Sequence, residues 1–197
     1  MKFSEYRFLV LSDLYRITGT VSSGTLLRNV FARGSFKFNF WMRTCRYLRS
    51  HPHLRFTIYP IAILVLGRLT YRLGISIPYN TNIGSGFYIG HFGGIVVNEQ
   101  SVIGRDCNIS QGVTLGEANR GRNKGCPTLG DRVYIGPGAK IVGAVKIGND
   151  VAIGANCVVT KDVPDSAVVV GVPGRVISSG GSEGYVNRTD YDKKLHA

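Results

Sequence analysis

The stretch T-L-G-D-R-V-Y-I-G-P-G-A-K-I-V-G-A-V-K-I-G-N-D-V-A-I-G-A-N-C-V-V-T, Thr128–Thr160, decides the fold. Leu129, Ile135, Ile141, Ile147, Ile153 and Val159 recur every six residues, and a glycine follows most of them. Four positions after each aliphatic stands a small or β-branched residue: Val133, Ala139, Val145, Val151, Cys157. Six is not a multiple of 3.6, so an α-helix would scatter these aliphatics around its circumference. Its glycines would also cost about 1 kcal/mol each. No alternating pattern with hairpin turn signals is present either. A hexad suits one short strand plus a corner, with the aliphatic pointing inward and the glycine letting the chain bend. Three hexads close a triangular coil, and stacked coils bury a continuous core.

Outward from this stretch the period continues. Upstream it runs through Ile77, Ile83, Ile89 and Ile95, then, after a two-residue insertion, through Ile103, Ile109 and Leu115. The thirteen hexads make roughly four coils. From Leu115 to Leu129 the chain is eight residues longer than one hexad, so residues 117–128 form a protruding loop rich in Gly, Asn, Arg and Lys. Such insertions map to one face of a solenoid, often the binding face.

The flanks read differently. Residues 1–75 have helical character: Met1–Thr18, a loop at Gly19–Gly24, a basic aromatic stretch from Leu26 to Ser50, and a helix from Leu54 to Leu73 kinked near Pro60. Residues 178–197 are polar and Gly/Ser-rich, a tail expected to fray. The predicted class is mainly β, a parallel β-helix over residues 76–177 with an N-terminal α-helical segment.

The N-terminal segment carries twelve Lys and Arg against Glu5 and Asp13, a net +10 of the whole chain's +12. Such a balance points to nucleic acid or an anionic membrane. No nucleic-acid signature accompanies it, so the expected partner is an anionic membrane surface. Phe36, Phe38, Phe40, Trp41 and Tyr47 would lie in the headgroup region, with Arg43, Arg46 and Arg49 near lipid phosphates. The rival use of this segment is to cap the open end of the solenoid. Within residues 1–75 the longest run without a charge, Phe56–Gly67, is twelve residues, short of the roughly 20 needed to span a bilayer. Four widely spaced cysteines, with no C-x-x-C and no secretory signal, fit a reducing compartment. The predicted location is cytoplasmic, peripheral on the inner face of the membrane.

Of four histidines, His51 and His53 flank Pro52 and His196 lies in the tail. His91 stands apart, in I-G-H-F-G-G (Ile89–Gly94), at a coil corner whose glycines expose it and leave backbone amides free. An imidazole titrates near neutral pH and accepts a hydroxyl proton, so His91 is the candidate general base. A zinc hydratase of β-helix type would need three convergent histidines, and no metal is expected. A purely structural solenoid does not explain the exposed histidine, the long loop and G-V-P-G-R (Gly171–Arg175) together.

The hexads, I-G-H-F-G-G-I-V-V-N-E (Ile89–Glu99), Q-G-V-T-L-G (Gln111–Gly116) and G-V-P-G-R-V-I (Gly171–Ile177) together resemble the serine acetyltransferase branch of the hexapeptide-repeat acyltransferases, over about residues 75–177. The resemblance implies a left-handed coil, a homotrimer with acetyl-CoA between neighbouring solenoids, and His91 as the base. It also implies Pro137, Gly154 and Ala155 along the pantetheine groove, and Lys161 and Arg175 are candidates for the CoA phosphates. The chain departs from the branch where an aspartate orients the histidine (here Ser76). It departs again where an aspartate helps hold serine (Gly90), and where an Arg-His pair grips the carboxylate (Gly125, Cys126). A zwitterion without partners is costly to bind. The loop Asn119–Gly130 is instead similar to that of exopolysaccharide acetyltransferases of the colanic-acid type, with Asn119, Arg120, Arg122 and Lys124 as candidate ligands for sugar hydroxyls. The expected reaction is therefore acetyl transfer from acetyl-CoA to a sugar of a polysaccharide or lipid-linked oligosaccharide, in bacterial polysaccharide biosynthesis. Serine O-acetylation in cysteine biosynthesis is the alternative. Amides near Gly93 or Gly94 are candidate oxyanion donors; a backbone carbonyl, Glu99 or a neighbouring subunit's residue would orient His91.

Overall fold

Each hexad becomes a strand of two or three residues followed by a corner in the computed structural model, which describes residues 1–31 and 34–195. The strands stack into three parallel sheets that form the faces of a prism. The first sheet holds β1 (Ile75–Ser76), β4 (Ile95–Val97), β7 (Thr114–Gly116), β10 (Lys140–Val142) and β13 (Val158–Val159). The second holds β2 (Asn82–Ile83), β5 (Val102–Ile103), β8 (Thr128–Leu129) and β11 (Lys146–Ile147). The third holds β3 (Tyr88–Ile89), β6 (Asn108–Ile109), β9 (Tyr134–Ile135), β12 (Ala152–Ile153) and β14 (Val168–Val170), closed by antiparallel β15 (Arg175–Ser178). Register sets the repeated aliphatics directly over one another: Ile83, Ile103, Leu129 and Ile147 in one column, Ile89, Ile109, Ile135, Ile153 and Val169 in another. All are buried in one continuous core, each side chain contributing about 1.5–3 kcal/mol. Cys107 and Cys157 are buried, free and part of it.

A coil's backbone normally pairs with the coil above and below. The first coil has no neighbour on its outer side, and buried carbonyls must still be satisfied. Helices α1 (Phe3–Thr18) and α3 (Phe36–Arg49) supply the donors. Arg43 Nη1 donates to Ile83 O at 2.7 Å and Arg43 Nη2 to Gly84 O at 2.6 Å. Arg16 Nε donates to Gly86 O at 3.1 Å, and Asn39 Nδ2 to Phe87 O at 2.9 Å. Arg46 Nη1 donates to Thr81 O at 3.1 Å, and Ser35 Oγ to Ile89 O at 2.6 Å. On the acceptor side, Ser12 Oγ and Asp13 Oδ1 take the amides of Gly86 and Phe87 at 3.0 and 2.8 Å. Asp13 and Arg43 form a buried ion pair, Nε to Oδ2 3.1 Å, and four Arg43 N–H groups are engaged by Asp13, Ile83 and Gly84.

These contacts correct the membrane placement of α3. Phe36, Phe38 and Arg43 are buried, Arg46 caps the solenoid, and Tyr47 stacks on Tyr6 with centroids 4.7 Å apart. The stretch is aromatic because it is a core helix, and three of its polar side chains are aimed at an unpaired coil edge. Beyond it, α4 (Pro52–Arg55) and α5 (Tyr59–Leu73) are separate helices. Pro60 sits in the first turn of α5, where its missing N–H costs nothing, so there is no kinked helix.

The tail does not fray over its described residues. It turns at Gly181 and Gly184, both with positive φ, and runs back along the corner between the second and third sheets. Ser182 Oγ donates to Arg132 O at 2.6 Å, Asn108 Nδ2 donates to Tyr185 O at 2.8 Å, and Tyr185 stacks on Tyr134 at 4.5 Å. It ends in α6 (Tyr191–Leu195), whose Tyr191 is fully buried beside Ser85, its hydroxyl 2.9 Å from Ser85 Oγ. His196 lies outside the described residues.

Candidate active site

His91 occupies the corner between β3 and β4, on the edge where the third sheet turns into the first. The turn Gly90–Gly94 needs its glycines: Gly93 and Gly94 have φ of 114° and 65°. A Cβ on Gly94 would stand 3.4 Å from the Gly112 Cα of the next coil, and one on Gly112 3.3 Å from Gly138. This glycine column keeps the corner narrow. The amide of Gly112 donates to Gly93 O at 2.7 Å, while among the described residues neither the Gly93 nor the Gly94 amide has a backbone acceptor. The imidazole of His91 is exposed and makes no hydrogen bond to a described residue.

Beside the ring lies a cavity of about 230 Å³, walled by Ile17, Asn29, Ser35, Phe36, Tyr88 and Phe92. Helix α2 (Ser23–Phe31) and the start of α3 thus cover one side of the site. Asn29 and Ser35 were not foreseen as neighbours of His91. No periodicity relates them to it, and only the docking of the helices brings them there.

The other predicted residues divide by edge. Pro137, Gly154 and Ala155 share the His91 edge, two and three coils further along, Ala155 exposed and Pro137 half-buried. At roughly 4.8 Å per coil, His91 and Ala155 are about 14 Å apart along this edge. Gly154 is close-packed; a Cβ there would meet Val170 Cγ1 at 2.9 Å. Asn119, Arg120, Arg122 and Lys124 are exposed on the loop at the opposite edge of the first sheet, and Lys161 is exposed at the same edge. The loop is a hairpin, Ala118 and Gly125 exchanging two amide bonds of 2.9 Å each, tied down by Asn123 Nδ2 to Thr160 O at 2.9 Å. Arg175 is exposed on β15. Within one chain the loop therefore does not reach His91.

The departing positions are also placed. Ser76 points outward on β1, paired in register with Val96. Glu99 is engaged by Asn80 Nδ2 at 3.1 Å on the loop edge, a strand's length from His91, so it does not orient the imidazole of its own chain. No group of three or more His, Cys, Asp or Glu suited to a metal occurs among the described residues.

Residues 126–161 match the family described as bacterial transferase hexapeptide (six repeats). A serine acetyltransferase of Helicobacter pylori (strain J99) is 39% identical over 132 residues, covering 67% of this chain and 77% of the relative. One from Mycobacterium tuberculosis is 52% identical over 104 residues, 53% of this chain and 45% of the relative. Against the latter relative and its like the chain spans about half their length. Among solved structures, the serine acetyltransferase of Brucella abortus in complex with coenzyme A has a TM-score of 0.75 at 27% identity, covering 91% of this chain and 70% of that one. The enzyme of Neisseria gonorrhoeae in complex with serine gives 0.70 at 29%, covering 89% and 70%.

Repeat, corners and neighbours together define a left-handed parallel β-helix of the hexapeptide type. The chain belongs to the hexapeptide-repeat acyltransferase family, and the relatives it matches are serine acetyltransferases. This overturns the expected polysaccharide or oligosaccharide acceptor and lends no support to a kinship with colanic-acid-type enzymes. That expectation rested on loop composition, and Asn, Arg and Lys side chains on an exposed hairpin do not by themselves define an acceptor.

Proposed function

We propose that the protein is an acetyl-CoA-dependent O-acetyltransferase that acetylates the hydroxyl of serine. The observation that carries this reading is His91, held bare on a glycine corner of a solenoid whose relatives are serine acetyltransferases. The imidazole takes the hydroxyl proton as the oxygen attacks the thioester carbonyl. The tetrahedral oxyanion is met by the Gly93 and Gly94 amides. Collapse breaks the carbon–sulfur bond, and the imidazolium returns the proton to the CoA thiolate. The pantetheine arm would follow the edge formed by Pro137, Gly154 and Ala155, with Arg175 and, from the loop edge of a neighbouring chain, Lys161 toward the phosphates.

The two edges of the first sheet explain why a homotrimer suits this chemistry. His91 on one edge and the loop on the other meet only if one chain's His91 edge faces a neighbour's loop edge. Threefold closure repeats that contact three times. The loop then supplies what Gly125 and Cys126 lack: Arg120 or Arg122, a few residues upstream, can hold a carboxylate through two parallel hydrogen bonds. The oxygens of Asn29 and Ser35 offer neutral acceptors for the ammonium. A cytoplasmic site of reaction is part of this proposal.

Mass-spectrometric detection of O-acetylserine from acetyl-CoA and L-serine tests the reading. The expected outcome is saturable product formation, with Arg122→Ala raising KM for serine about tenfold or more. A folded, trimeric protein that forms no O-acetylserine overturns it.

A further inference from the structure

The basic charge left over after the solenoid is capped has a surface of its own. Arg16, Arg43 and Arg46 are spent on carbonyls of the first coil. On α5 the stripe Ala62, Leu66, Leu69 and Leu73 is buried toward the core. On the roughly opposite side of the same helix lie Ile61, Leu64, Arg68, Tyr71 and Arg72, all exposed. The preceding turn adds Arg55, Phe56 and Ile58, and the five large apolar side chains of this surface are between 51% and 89% exposed. Apolar groups gathered this way mark an interaction site rather than ordinary surface. No Asp or Glu occurs between Asp13 and Glu99, so neither α4 nor α5 carries an acid of its own beside these arginines.

We propose that the outer face of α4–α5 docks on an anionic lipid bilayer, with Ile58, Ile61 and Leu64 in the acyl boundary and Arg55, Arg68 and Arg72 at the phosphates. The chemistry is that of a helix lying in the interface, apolar on one side and flanked by guanidinium groups. No helix of the described residues is long and apolar enough to cross a membrane. The charge complement selects the occupant: a second copy of this face would bring arginine against arginine, whereas an anionic leaflet neutralises all three. In the homotrimer proposed above, symmetry sets the three faces at one height along the axis, and their binding reinforces by avidity.

Flotation of the full chain with vesicles tests this, comparing phosphatidylcholine–phosphatidylglycerol mixtures with phosphatidylcholine alone. Wild type is expected to float with the anionic vesicles and to weaken in high salt. Arg68→Gln with Arg72→Gln should lower partitioning about fivefold per arginine. Ile61→Glu with Leu64→Glu should abolish it, and both variants should keep the wild-type melting temperature and oligomeric mass. The proposal fails if wild type stays unbound at low salt, or if the Ile61/Leu64 variant floats as well as wild type. It also fails if that variant loses oligomeric mass, which would assign the face to a second copy.

Discussion

The inner coils and the first coil of the solenoid solve the same problem by different means. Between inner coils, amide meets carbonyl along the stack, as Gly104 N to Leu129 O at 3.0 Å and Gly136 N to Ile153 O at 2.7 Å. At the first coil the partners named above are side chains, delivered by a docked helix or its cap. Inner coils therefore ask for the repeated aliphatics and corner glycines of the hexad. The end coil depends on particular residues at particular places, among them a buried ion pair. Removing one partner of such a pair strands the other and is far costlier than trimming a methyl group.

That contrast can be broken directly. Arg43→Ala should destabilise by about 3–5 kcal/mol, because it uncaps Ile83 and Gly84 and leaves Asp13 charged and buried. Ile135→Val, in the middle of the stack, should cost only about 0.5–1.5 kcal/mol. Denaturant unfolding of both variants measures the difference, and equal losses would mean that the end coil is not specially dependent on its cap.

A smaller effect sharpens the comparison at the tail. Asp106 lies where α1, α6 and the corner of the second coil meet, Arg16 Nε 3.9 Å from its carboxyl. Burial pushes this carboxyl up to about 6 from its ordinary 3.8, against the pull of Tyr191 and Arg16. A carboxyl raised on folding favours the protonated form in the native state. Its penalty is absent below about pH 4, grows as pH rises through the window, and is complete above about pH 6. Asp106→Asn should therefore melt higher than wild type at about pH 7.5, with the gap closing toward pH 4. A gap independent of pH would remove Asp106 from the account.

What was legible in the sequence follows the same division. Aliphatics at a fixed period placed the strands and the core, because a repeated environment leaves a repeated residue; the exception is Ile95, since Val97 stands in register with Leu115 and the two-residue insertion falls at the His91 corner. The exposed corner position of His91 was legible from the glycines that flank it in sequence. The capping roles of Asp13, Asn39 and Arg43 were not, since each acts once and across 41 to 74 positions of chain. Nor were Asn29 and Ser35 beside His91. The tail's order was hidden for a related reason: Tyr191 and Ser182 look polar in sequence and become buried only against corners of the folded stack. Acceptor identity was misread from an exposed loop, where composition is weakly constrained.

The central claim is that His91 is the proton acceptor in acetyl transfer to serine. It is tested most directly by the turnover number of His91→Ala, measured as CoA release in the presence of serine. The substituted side chain is exposed and without a described hydrogen bond, so the variant should fold and assemble as wild type. Its rate should fall by about 10²–10⁴. A correctly assembled His91→Ala enzyme that turns over near the wild-type rate would contradict the account.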